Sequence, residues 1–190
     1  MDIIIETDRL FLRQWREADR EPFAALNADP RVMEYFAKLR SREESDALVS
    51  KESAQIQQHG WGLWAASLKQ TDEFIGFIGL ADADFAPNLT HAVEIGWRLA
   101  FTYWGNGYAT EGARAALKYG FEMLRREEVV ACTAVHNRRS RAVAERLGMQ
   151  YHPEDDFDHP RVPEGHPLRR HVLYRLSADK WRDREGRAAR

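Results

Sequence analysis

The sequence predicts a mixed α/β fold in which the early strands are joined by hairpins and the later ones by helices. Three observations carry this. Short apolar or alternating runs bounded by turn residues occur at residues 9–15, 61–68, 73–82 and 93–99. From Tyr108 onward a helical pattern, a continuous apolar run and a second helical pattern follow one another. Between these regimes lies a glycine-bearing bend, Tyr103-Trp104-Gly105-Asn106-Gly107, entered from a strand and left by a helix.

Residues 9–15 alternate and read as the first strand, with Leu10 and Leu12 on one face. Asp19 is placed to cap a first helix that tolerates Pro22 in its first turn and ends at Asp29-Pro30. Residues 32–36 read as a short helical turn. Ser41 and Glu44 form a capping box for a long helix that stops at Gly60. Residues 61–68 and 73–82 read as strands joined through Gln70-Thr71-Asp72. Val93–Leu99 alternates strictly: Val93, Ile95, Trp97 and Leu99 face one way, Glu94, Gly96 and Arg98 the other.

Residues 108–124 read as a helix. Its face of Ala109, Ala113, Ala116, Leu117, Gly120, Phe121 and Leu124 is narrow enough to pack closely on a sheet. Residues 129–135 have the composition of a buried strand, and residues 137–147 read as a helix closed by Gly148. Residues 149–152 begin a strand, an irregular loop runs to about Arg170, and residues 171–176 form the last strand. The expectation is a sheet of about seven strands in one domain, residues 1–178, with a charged, frayed tail at 179–190.

Composition narrows the function. The chain of 190 residues is 44% hydrophobic and 31% charged, enough for one substantial core without staples. A net charge of −2 lacks the basic footprint of a nucleic-acid binder. One cysteine, Cys132, permits no internal disulfide and fits a reducing compartment. No apolar stretch approaches the roughly 20 residues that span a bilayer, and no signal peptide is evident at Met1. A cytoplasmic protein without membrane contact is expected, with a homodimer the commonest oligomer to anticipate.

The bend at 99–111 carries the chemistry. A helix N-terminus leaves N–H groups unpaired and partly positive, and glycines let the backbone approach a ligand. This suits a phosphate or diphosphate. The Gly-Lys-Ser/Thr ending of a P-loop is absent, and two glycines followed by Ala109 do not make a dinucleotide fingerprint.

Several stretches together resemble the GNAT acetyltransferase superfamily, in its RimJ/RimL-like branch. They are Glu94-Ile95-Gly96-Trp97-Arg98-Leu99, Trp104-Gly105-Asn106-Gly107-Tyr108-Ala109-Thr110-Glu111, Asn137 with Ser140, and Leu147-Gly148-Met149, along with Asp8-Arg9-Leu10 and Leu12-Arg13 near the start. The resemblance spans about residues 6–176. It implies the GNAT fold, a mostly antiparallel sheet splayed between the fourth and fifth predicted strands, and acetyl-CoA as co-substrate with an amine acceptor. Gly107 and Ala109 match the family's diphosphate loop. Trp104 stands where many members carry Arg or Gln, which leaves binding to the backbone of residues 104–110. The resemblance further implies pantetheine contacts from Leu99, Ala100, Phe101 and Asn137. Arg138, Arg139 and Arg141 lie close by, as phosphate contacts or as a solvated helix start.

Acyl transfer needs a base for the amine, a stabilised oxyanion and an acid for the leaving thiolate. Glu94 is the candidate base, with structural pairing as the competing reading. Ser140 is the candidate partner of the thiolate, with helix capping as its alternative. Cys132, in an apolar run without a neighbouring His, reads as structural rather than as a nucleophile. His152, His159, His166 and His171 lie near acidic residues, but their spacing matches no metal pattern, and no metal is expected. Tyr35, Phe36 and Trp64 are candidates for the acceptor pocket or the core. An idle acyl-CoA-binding module of the same fold is the alternative to an active enzyme.

Overall fold

A computed structural model describes residues 3–83 and 92–188. The strands are β1 Ile3–Glu6, β2 Leu10–Arg13, β3 Leu63–Leu68, β4 Phe74–Asp82, β5 Val93–Leu99, β6 Glu128–Ala134, β7 Gln150–Tyr151, β8 Phe157–Asp158 and β9 Arg170–Ser177. The α-helices are α1 Arg20–Ala28, α2 Arg42–His59, α3 Tyr108–Lys118, α4 Arg138–Leu147 and α5 Ala178–Ala188. Strand order is β1-β2-β3-β4-β5-β6-β9-β7, with β8 also on β9. β5 and β6 are parallel, and the other ladders of described register are antiparallel. The chain forms two compact units. One takes its described residues from Met1–Ala81 and Gly96–Ala116, the other from Asp82–Ile95 and Leu117–Arg190.

In the first unit Leu10, Leu12, Phe23, Trp64, Ile75, Ile78 and Leu80 are fully buried. Phe23 meets Trp15, Phe74 and Phe77 edge to face beside them, and Trp15 and Phe74 pack at a tilt. Helix α3 lies close to the sheet because its inner face is small. A Cβ on Gly112 would stand 2.4 Å from the Ile78 side chain. In β4, Ser67 pairs with Phe74 while Ala66 pairs with Gly76, so Ile75 is an extra residue. Its carbonyl accepts from the Ala100 N–H at 2.9 Å and so ties down the end of β5. Gly76, at φ 141°, is required there: a Cβ would lie 2.1 Å from the Arg98 carbonyl oxygen.

In the second unit β6 and β9 pair along seven residues, from Glu128↔Ser177 to Ala134↔His171. The β5–β6 ladder joins Val93 to Val129 and Glu94 to Val130, and β5 runs on past it to Leu99.

Several expectations are corrected. β1 and β8 are additional strands, giving nine among the described residues where about seven were expected. Asp19 makes no side-chain cap, because its carboxylate is held by Arg13 in a buried pair. Residues 32–36 form turns and no helix. The helix from Tyr108 remains α only to Lys118, and Tyr119–Met123 is a π turn. The end of the chain is helix α5 over the described residues to 188, with Trp181 buried, rather than a frayed tail. Residues 189–190 of the expected tail lie outside the described residues. Ser41 and Glu44 do form the capping box of α2, and Gly60 ends it at φ 77°.

Candidate active site

The predicted site residues divide between the two units, and each group is built within its own. In the first unit β5 ends at Leu99, a 3₁₀ turn spans Phe101–Tyr103, and α3 begins at Tyr108. Gly105 and Gly107 have φ of 78° and 80°, the left-handed conformation that bends the chain back on itself. Among the described residues, the backbone N–H groups of Gly105, Asn106, Gly107, Tyr108, Ala109 and Thr110 donate to no protein acceptor. Six consecutive free donors at a helix N-terminus form an anion cradle, and they fit the diphosphate of coenzyme A. Trp104 turns its indole inward: Nε1 donates to the Leu99 carbonyl at 2.8 Å, and the ring packs on Phe101. The side chain therefore braces the loop and leaves the backbone to the ligand.

A clamp unforeseen from sequence fixes this loop. The Glu111 carboxylate accepts from the Thr7 hydroxyl at 2.7 Å, the Arg9 N–H at 2.9 Å and the Arg9 Nε at 2.6 Å. Arg9 Nη1 also donates to the Asn106 carbonyl, and the guanidinium lies 4.7 Å over the Tyr108 ring. Burial pushes the Glu111 carboxyl up, but bonds from Thr7 and Arg9 outweigh it and hold the group below its usual range. Asn106 Nδ2 donates to the carbonyls of Tyr103 and Trp104. Arg9 and Glu111 both stood in the motifs above. Their pairing was not legible because 102 positions separate them.

Of the groups expected to meet pantetheine, the Ala100 N–H is engaged by Ile75 and the Leu99 carbonyl by Trp104. Phe101 is exposed, with the Arg31 guanidinium 4.1 Å over its ring. Phe36 is likewise exposed, Tyr35 half-buried, and Trp64 fully buried in β3.

In the second unit Glu94, beside Val130 on β5, accepts a hydrogen bond from Cys132 Sγ at 3.0 Å. Burial first, then the charge and hydrogen bond of Glu94, push the Cys132 thiol well up, so it stays protonated and donates. Asn137 is the N-cap of α4: its Oδ1 accepts from the Ser140 N–H at 3.2 Å, and its Nδ2 donates to Thr133 Oγ1 at 3.0 Å. Ser140 is thus the capped residue and not the cap. Arg141 is turned to the Val135 carbonyl and the Tyr174 hydroxyl. Among the described residues, no group of three His, Cys, Asp or Glu side chains stands close enough to hold a metal, and no helix is long and apolar enough to cross a membrane.

Comparison with known proteins bears on this geometry. Residues 9–150 match the family profile described as "Acetyltransferase (GNAT) domain". An uncharacterised protein of Bacillus subtilis, YkkB, is 37% identical, covering 76% of this chain and 84% of its own length. The FsC-acetyl coenzyme A-N(2)-transacetylase of Aspergillus fumigatus is 31% identical, covering 93% of this chain and 77% of its own. Among solved structures, a GNAT-family acetyltransferase from Bacillus anthracis superposes with a TM-score of 0.76 at 26% identity, covering 92% of this chain and 98% of that one.

Proposed function

The chain belongs to the GNAT family and is an N-acetyltransferase with the GNAT fold; on that premise we propose that it moves acetyl from acetyl-CoA to a primary amine by direct attack within a ternary complex. The observation that carries this reading is the run of six free N–H donors over residues 105–110, held open by the Arg9–Glu111 clamp. It is a preformed seat for a diphosphate.

In this reading Glu94 accepts the amine proton, directly or through water. Cys132 orients its carboxylate by a bond from a thiol that stays protonated. Ser140 bonds the leaving thiolate, and main chain near Leu99 meets the thioester. Coenzyme A supplies the activated acetyl, while the protein binds, orients and takes up the proton. The tryptophan-bearing loop Trp104-Gly105-Asn106-Gly107-Tyr108 supports placement in the RimJ/RimL-like branch. The single cysteine of the sequence, the half-buried Cys132, supports a cytoplasmic setting.

The test is release of free thiol from acetyl-CoA across N-terminal peptides, polyamines and aminoglycosides. Turnover with at least one class is expected. Tight coenzyme A binding without thiol release from any acceptor would instead describe an idle binding module.

A further inference from the structure

Arg98 is a buried cation whose counter-charge the protein does not supply. It lies on β5 immediately before Leu99, within the first unit, and is 9% exposed. Its Nη1 donates to Asn27 Oδ1 at 2.6 Å, a neutral partner. The guanidinium plane is covered by Phe36 at 4.2 Å and Phe77 at 5.3 Å. Nε is fully buried and has no partner, and Nη2 likewise donates to nothing among the described residues. No carboxylate of the described residues forms an ion pair with it.

The charged neighbour that Arg98 does feel is Arg40, a second cation whose Nε is also buried and unpartnered. Arg40 is tied to the same place, since its N–H donates to the Asn27 carbonyl at 3.2 Å. The nearby acid, Glu44, is engaged by Lys38 and Ser41. Burial, with the repulsion of Arg40 added, lowers Arg98 to about 9.

A buried cation bound only to an amide costs several kcal/mol unless an anion joins it. The free Nε–Nη2 edge is the fork that grips both oxygens of a carboxylate. Phe36, one wall of the site, is itself exposed, so the guanidinium stands behind a surface residue rather than deep in the core.

We propose that the Nε–Nη2 edge of Arg98, with Arg40 beside it, binds a carboxylate carried by the acceptor, so that the acceptor is an amine that also bears an acidic group. The proposal rests on the acetyl-transfer reading, because the site adjoins the main chain assigned to the thioester. It makes the acceptor zwitterionic and disfavours simple polyamines.

The test uses the full chain, acetyl-CoA and a series of ω-amino acids from glycine to 6-aminohexanoate, each matched with its carboxamide. Dipeptides paired as Asp or Asn at the second residue separate a peptide source from a free amino acid. At the best spacing, kcat/KM for the acid should exceed that for the amide by about tenfold or more. Arg98→Met should bring the ratio to about one, and Arg98→Lys, which keeps charge without the fork, should fall between. The same pairs are read by thermal shift with coenzyme A present, which reports binding whether or not acetyl moves.

Acid-selective binding that disappears in Arg98→Met supports the carboxylate site even if no thiol is released, an outcome that would sink acetyl transfer alone. Turnover on amines with no acid preference in the wild type, or a preference that survives in Arg98→Met, overturns the carboxylate site and leaves acetyl transfer standing. Should Arg98→Met fail to fold, the acid–amide comparison in the wild type and in Arg98→Lys decides.

Discussion

Two buried arginines, Arg13 on β2 and Arg98 on β5, have opposite surroundings, and the contrast shows what each residue does. Arg13 is paired: Nη1 and Nη2 reach both oxygens of Asp19 at 2.7 and 2.9 Å, and both side chains are almost fully buried. The pair joins β2 to the start of α1, and Asp19 also accepts the Arg16 N–H. Removing Asp19 leaves the buried Arg13 charge with only the more distant, exposed Asp72 at 3.8 Å, so Asp19→Ala should cost about 3 kcal/mol in urea unfolding, far more than loss of an exposed pair. Arg98 has no such anion, and for that reason it is read as a ligand-facing residue. At the second unit's site, Glu94→Gln should lower kcat by roughly 10²–10⁴ while leaving the Kd of coenzyme A nearly unchanged. An equal loss of coenzyme affinity would make Glu94 a structural residue. Strict alternation in Val93–Leu99 placed Glu94 and Arg98 on the polar face. In the structure Arg98 is buried and Trp97 only half so. Periodicity reports which face a residue takes but is blind to a cation sealed between two phenylalanines.

Elements explain why the diphosphate loop keeps its shape. The loop's own bends need only Gly105 and Gly107, but its position depends on an anchor from β2's entrance, where Thr7 and Arg9 seize the first turn of α3 through Glu111. Glu111→Gln should release that anchor, weakening coenzyme A binding severalfold and lowering stability by about 1 kcal/mol, since Arg9 is half exposed. The pH dependence has a definite sign. A carboxylate held below its usual range stabilises the fold above the unfolded value and ceases to do so as pH falls through the folded value. The stability gap between wild type and Glu111→Gln should therefore be full at pH 7 and close as pH drops below about 4, where urea midpoints of the two proteins converge. A gap that persisted at low pH would mean the carboxylate charge contributes nothing. Local signals made the other elements legible to differing degrees. The box of Ser41 and Glu44 is read within four residues and formed as expected. Asp19 looked equally suited to capping α1, but its carboxylate is taken by the Arg13 guanidinium and by the Arg16 N–H, and it gives no side-chain cap to α1.

For the whole molecule, the order of strands and helices followed from where hairpin turns give way to helical periods, and β5 matched its predicted bounds. What escaped was short or depended on tertiary contact: the four residues of β1, the two-residue strand β8, and above all the chain's end. Residues 178–188 look like a solvated charge run, but α5 carries one apolar anchor, Trp181, which is 2% exposed and stacks on Phe121 at 5.5 Å. Arg184 fastens the same helix to the end of α4, donating to the Arg146 carbonyl at 2.7 Å beside the cap glycine Gly148. Phe121 itself lies in the π turn that breaks the period of α3, so the anchor and the irregularity meet at one contact. A helix that contributed only charge could be removed at little cost. A helix that buries an indole against the core should be integral to the second unit. Trp181→Ala should cost about 3–5 kcal/mol in denaturant unfolding. Truncation after Ser177 should lower the thermal midpoint at least as far, because it uncovers Phe121 as well. Arg184→Ala, which leaves the indole in place, should have a smaller effect of about 1 kcal/mol. If the truncated chain melted with the full-length protein, the stacking of Trp181 would be incidental and the tail would indeed be the frayed extension its sequence suggests.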